Sequence, residues 1–189
     1  MPRLQDTKKR ILEVALKLFS ERGIKETTVK DIAKEVGITE GAIYRHFISK
    51  DELVNTVFST HSQRFYEELM SVIESKGTIE DRFFKLVHKF LNFCFENPQA
   101  FKFINLFHYL RAQEVRNFQN LPKDAVLKLI DEAIKEGIIK VRRELALAVL
   151  VGALERTFLL VDSEIIKREE GLEEELAAVI WKALSFNFR

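Results

Sequence analysis

The chain has little of what breaks or staples a fold: one cysteine, three prolines and seven glycines in 189 residues. A single thiol, Cys94, cannot close a disulfide within the chain, which excludes a stapled secreted scaffold. So little glycine and proline excludes collagen-like and low-complexity chains. Long uncharged runs are missing as well. Leu145 to Leu154 gives ten residues without a charge, whereas a bilayer span needs about 20. The opening residues Met1-Pro2-Arg3-Leu4-Gln5-Asp6 lack the apolar centre of a signal peptide. These absences lead to the expectation of a soluble, cytoplasmic protein with no membrane partner. Charge of one sign is also not in excess, with 30 Lys+Arg against 29 Asp+Glu. What is present is apolar surface. At 47% hydrophobic residues the chain can offset its own conformational entropy, which excludes disorder.

The neutral total hides an asymmetry. Residues 1–50 carry 11 Lys+Arg and 7 Asp+Glu, while only two of the 16 phenylalanines, Phe19 and Phe47, fall there. A basic, Phe-poor head joined to a Phe-rich, slightly acidic body predicts two domains, 1–50 and 51–189.

Every long segment has helical period and none alternates, so the fold class is all-α with about nine helices. Residues 7–22 place Ile11, Leu12, Ala15, Leu16 and Phe19 on one stripe, with Asp6 or Thr7 as N-cap and Gly23 as the stop. A short helix starts at Thr28, whose hydroxyl can accept from the Asp31 N–H, and stops at Gly37. Another runs from Thr39 to about His46. Ser49-Lys50-Asp51-Glu52 is a capping box opening a long helix that lasts until Gly77. Segments 79–96, 99–112, 122–136, 142–163 and 170–186 complete the set.

Residues 28–47 carry the most information. Two short helices meet at a tight turn bearing Gly37, Ala33 is small where they cross, and Ile32, Val36, Ile38 and Ile43 form the shared seam. That is what a helix-turn-helix requires. The outer face of the second helix keeps Thr39, Glu40, Gly41, Ala42, Tyr44 and Arg45. Small residues at its start suit a helix pressed into a major groove about 12 Å wide. Tyr44, Arg45 and His46 supply donors for phosphates or base edges, and Lys50 adds an ammonium at the next helix start.

On these residues the chain resembles the N-terminal domain of TetR-type transcriptional regulators. The match runs through Ile11-Leu12, Ala15, Leu18-Phe19, Gly23, Thr27-Thr28-Val29, Ile32-Ala33, Val36-Gly37-Ile38, Gly41, Ile43-Tyr44, His46-Phe47, Lys50 and Leu53. The resemblance implies a three-helix DNA-binding head, a homodimer, and repression relieved by a small ligand in the body. By position it implies that Thr28 and Lys30 face double-stranded DNA from the second helix. Thr39, Glu40, Gly41, Ala42 and Arg45 would then meet bases, and Tyr44, His46 and Lys50 the backbone. Glu40 departs from the Lys often found there, which predicts that it faces a cytosine amino group or solvent.

The body is read from its own residues. Five phenylalanines lie between Phe83 and Phe95, and Phe101, Phe103 and Phe107 follow. They surround their helix, which places other helices on several sides of it. Each is either core or part of a cavity wall for an apolar effector such as an acyl chain or a planar aromatic compound. The expected pocket set is His61, Phe65, Phe84, His88, Leu91, Asn92, Phe103, Phe107 and His108. No Cys-x-x-Cys or His-x-x-x-His pair offers metal-ligand spacing, and no Gly-rich phosphate loop or nucleophile elbow offers enzyme chemistry, so neither metal, cofactor nor catalysis is expected. The last two helices are apolar beyond what one neighbour covers, which predicts a dimer interface at Gly152, Leu154, Phe158, Ala177, Ile180, Trp181 and Leu184.

Together these readings predict a dimeric, ligand-responsive DNA-binding regulator that represses from a pseudo-palindromic operator. Two rivals stand beside it. One is a DNA-binding factor without an effector, and the other an all-helical carrier of hydrophobic molecules whose head does not use DNA.

Overall fold

The computed structural model describes residues 4–186; Met1–Arg3, part of the stretch read above for a leader, lie outside them. Among the described residues there are ten helices: α1 (Leu4–Arg22), α2 (Val29–Val36), α3 (Glu40–Tyr44), α4 (Lys50–Ile73), α5 (Ile79–Glu96), α6 (Pro98–Leu110), α7 (Ala112–Val115), α8 (Pro122–Lys135), α9 (Arg143–Asp162) and α10 (Leu172–Ser185). The tenth is α7, a single turn set off from α6 where Arg111 leaves helical backbone at φ −129°, ψ 38°. α1 also begins two to three residues earlier than its expected cap. Asp6 therefore lies in the first turn, where a carboxylate complements the helix dipole.

The helices pack into two compact units. One holds the described residues up to Ser62 together with Asn97–Gln119; the other holds Gln63–Glu96 and the described residues from Asn120 onward. α4 begins in the first and ends in the second.

In the first unit, α1 packs on α2 and α6. Ile11, Ala15, Phe19, Ile32, Ala33, Ile43, Phe47, Val57, Phe58, Phe103 and Phe107 form its core. Phe19 stacks on Phe103 with ring centroids 5.7 Å apart, and Phe58 on Phe107 at 3.9 Å, with the edge of Phe118 against both of the latter pair. Thr27, fully buried, donates its hydroxyl to Gly23 O at 2.8 Å and closes the α1–α2 turn.

In the second unit, α5 is the central helix, packed by α8, α9 and α10. This is the surrounded helix that five closely spaced phenylalanines predict. Phe83 meets Trp181 at 5.0 Å, Phe95 meets Phe158 at 5.6 Å, and Phe93 stacks on Phe65 at 3.9 Å. Cys94 is buried here, and burial, then the nearby Glu155, push its thiol far above its ordinary pKa. A thiol so placed is a small core hydrophobe rather than a nucleophile.

Candidate nucleic-acid interface

The helix-turn-helix segment is built by caps that the sequence supplies locally. Thr28 and Asp31 form a reciprocal box: the Asp31 N–H donates to Thr28 Oγ1 at 3.1 Å, and the Thr28 N–H donates to Asp31 Oδ2 at 2.9 Å. The hydrogen bonds from Thr28 hold the Asp31 carboxyl below its ordinary pKa. α2 ends at Gly37, whose φ of +78° is left-handed backbone and whose N–H donates to Ala33 O at 3.0 Å. From α1, Arg10 Nη2 donates to Val36 O at 2.8 Å, so the same helix end is held from outside as well. Thr39 then caps α3 by accepting from the Ala42 N–H at 3.2 Å.

The consequence is a short helix with one side in the core and the other outward. Ile43 is 1% exposed and faces inward, while Thr39, Glu40, Gly41, Tyr44 and Arg45 are exposed and Ala42 and His46 half-exposed. Thr28 and Lys30 are exposed on α2. Lys50 is half-buried, its Nζ 3.5 Å from Lys25 O in the α1–α2 turn. Ser49 accepts from the Glu52 N–H at 3.0 Å, and the Glu52 carboxylate accepts from Ile48 N–H rather than from Ser49. The ten residues expected to meet DNA thus all lie on the surface of this unit. Ile48, 87% exposed between α3 and α4, joins that surface unforeseen; a large apolar side chain left in water was the available signal.

Gly41 is informative because the fold does not need it. A Cβ there would meet only Thr39 Oγ1, at 4.0 Å, and its φ is ordinary. Glycine within a helix costs about 0.5–1 kcal/mol relative to alanine. The bare position therefore leaves room for something outside the chain.

The expected pocket residues fall into both units. His61, Phe103, Phe107 and His108 belong to the first, where Phe103 and Phe107 are core and His108 lies 5.6 Å from the Phe58 ring. Phe65, Phe84, His88, Leu91 and Asn92 belong to the second, with Phe65 and Leu91 buried and Phe84 half-buried. His88 and Asn92 are engaged at the surface: His88 Nε2 lies 3.2 Å from Glu174, and Arg168 donates to Asn92 Oδ1 at 3.0 Å and to Glu173 at 2.8 Å. Arg168 also lies over the Phe95 ring at 4.1 Å, so this network fastens the start of α10 to α5. His88 and Asn92 also border a groove of about 330 Å³ with Ser71, Val72, Ser75, Lys85 and Lys89.

The expected dimer residues need correction. Leu154, Phe158, Ala177, Ile180 and Leu184 are at most 2% exposed, so they are core of the chain itself and have no area left to bury against a second copy. Trp181 is half-buried against Phe83. Only Gly152 is exposed, and a Cβ added there would meet nothing within 4 Å. The outward stripe of α9 is Leu145, Ala148, Gly152 and Leu159, and that of α10 includes Ala178, Val179 and Ala183.

Among the described residues no group of three or more His, Cys, Asp or Glu side chains is placed to hold a metal ion. No helix among them is long and apolar enough to cross a membrane.

Residues 11–57 match the family model of bacterial regulatory proteins, tetR family. The chain is 46% identical over 54 residues to the HTH-type transcriptional regulator AcrR of Shigella flexneri, a match covering 29% of this chain and 25% of that one. It is 36% identical over 74 residues to the HTH-type transcriptional repressor KstR2 of Rhodococcus jostii, covering 37% of this chain and 36% of that one. The chain thus spans about a quarter to a third of the length of these curated relatives. A TetR family transcription regulator from Marinobacter aquaeolei VT8 has the same fold, with a TM-score of 0.86 at 18% identity over 99% of this chain and 100% of that one. Residues 11–57 are thus similar in sequence to the tetR family of bacterial regulatory proteins, and the described chain shares the fold of a solved member of that family.

Proposed function

We propose that the protein is a homodimeric transcriptional repressor whose residues 1–50 read DNA and whose residues 51–189 dimerise and respond to a hydrophobic small molecule. The observation that carries the DNA reading is the outward face of α3, where Thr39, Gly41, Ala42 and Arg45 are open to bases and Gly41 is bare without internal need. Tyr44, His46 and Lys50 contact phosphates and set affinity and its salt dependence. Thr28 and Lys30 flank the groove from α2. Glu40 faces a cytosine amino group or solvent, since beside a phosphate it would be repelled.

Dimerisation uses the outward stripes of α9 and α10 rather than the buried ones. Leu145, Ala148, Gly152 and Leu159 recur at helical spacing, and a glycine whose missing Cβ opens onto empty space permits a close helix–helix approach. The effector reading rests on the phenylalanine-rich α5 of the second unit. It calls for an apolar or aromatic molecule such as an acyl chain, and for a coupling of about 1–3 kcal/mol between the two sites.

The test is to select bound duplexes from a random pool with the full chain. The expected product is a pair of inverted half-sites with centres about 34–36 Å apart, or a multiple of that. Recovery of no enriched sequence, or of single asymmetric sites, overturns the reading.

A further inference from the structure

We propose that Arg111, 60 residues beyond Asp51 and outside the matched segment 11–57, is a positioning residue for the DNA contact made by Lys50. This rests on the DNA reading above. Arg111 stands where α6 gives way to α7, and its N–H donates to Phe107 O at 2.8 Å. Its guanidinium is held three ways: Nη2 to Asp51 Oδ1 at 2.6 Å, Nη1 to Glu114 Oε2 at 3.1 Å, and Cζ over the Phe107 ring, 5.9 Å from its centroid. The side chain is only 19% exposed.

An ordinary surface ion pair contributes little, because two long side chains must be ordered and water screens them. This pair differs, since Arg111 is already ordered by Phe107 and Glu114 before it meets Asp51. The geometry also repeats. Asp51 and Phe58 lie two helical turns apart on one face of α4, while Phe107 lies four residues before Arg111, the residue that caps the end of α6. Phe107 stacks on Phe58 and Arg111 pairs with Asp51, so the end of α6 grips α4 at two points. The upper point is the first turn of α4, which carries Lys50. Through Ser49 and the Glu52–Ile48 hydrogen bond the same turn is tied to the end of the helix-turn-helix segment. Freeing Asp51 lets that turn shift and withdraws Lys50 from its phosphate.

Charge sign separates positioning from bulk electrostatics. Asp51→Asn removes a negative charge close to the DNA, which by field alone strengthens binding; positioning predicts the opposite. The experiment titrates full-length variants against a duplex recovered by wild-type selection, over a range of salt, with active fraction fixed by stoichiometric titration. Arg111→Met and Asp51→Asn are each expected to weaken binding about fivefold and to reduce the salt slope by about one, as Lys50→Met does. Adding Arg111→Met to Lys50→Met costs nothing further. Glu114→Gln, which removes the charge but leaves an oxygen to accept from Nη1 and so keeps the guanidinium ordered, keeps wild-type affinity. Tighter binding by Asp51→Asn, an unchanged slope, or full additivity with Lys50→Met overturns the proposal. If the wild type binds and the variants match it, this proposal alone falls; if the wild type selects no duplex, the DNA reading falls and takes this with it.

Discussion

Tyr44 and Glu155 show how single side chains divide between a proposed DNA contact and the fold. Tyr44 is 48% exposed beside Arg45 on the outward face of α3. Its hydroxyl is assigned to a phosphate, so Tyr44→Phe should weaken binding to every duplex alike, by about threefold to tenfold for one missing hydrogen bond. Competition of variant against wild type over a duplex library checks this; altered sequence preference would contradict the assignment. Glu155, on α9, has its carboxyl pushed above the ordinary pKa by burial. Because the folded chain holds that proton more tightly than the unfolded one, Glu155 favours folding at low pH and loses that contribution as pH rises through the raised value. Glu155→Gln is therefore expected to raise the melting temperature at pH 7 and to give no gain below the ordinary carboxylate range, measured by thermal melts across pH.

At the scale of helices, α2 is set by its two ends. Removing the N-cap with Thr28→Ala should cost about 1 kcal/mol. Gly37→Ala should cost about 1–2 kcal/mol, since a side chain at φ +78° is strained even though nothing stands within 4 Å of the added Cβ. Urea midpoints at constant slope measure both. The cap also carries a pH signature. Asp31 is held low by Thr28, Asp81 by Thr78 and Asp131 by Arg143. Each contributes stability that is complete above the ordinary carboxylate pKa and is lost as pH falls through its lowered value, and Thr28→Ala should remove the Asp31 share. These ends were legible in the sequence because Thr28, Asp31, Gly37 and Thr39 interact within a dozen residues. The break at Arg111 was not, because no proline or glycine marks it and its partner Asp51 is distant in the chain. α9 was legible as a helix but not as an oriented one. Ala146, Leu150, Leu154 and Phe158 form one apolar stripe and Leu145, Ala148, Gly152 and Leu159 another, so periodicity offers no choice between inward and outward faces. The ion pair and hydrogen bond of His88 and Asn92 were not legible for a related reason: their partners Glu174 and Arg168 come from over 70 residues away.

For the whole molecule, the proposed assembly and the charge asymmetry give one joint expectation. Gly152→Glu with Val179→Glu places like charges on both outward stripes and should yield a monomer in sedimentation, with loss of binding to paired half-sites. The salt slope of the intact dimer reports the phosphates neutralised by both heads together, so the monomer should show about half of it on a single half-site. If the double variant remains dimeric, the interface lies elsewhere.

The way Phe19 and Phe58 find Phe103 and Phe107 has a practical corollary for anyone grafting this helix-turn-helix head onto another chain. A fragment cut after residue 62 would keep two of those rings and discard the other two. Its severed face would be greasy and prone to clump. A working transplant must therefore carry two stretches of sequence, or else an invented lid to replace the second.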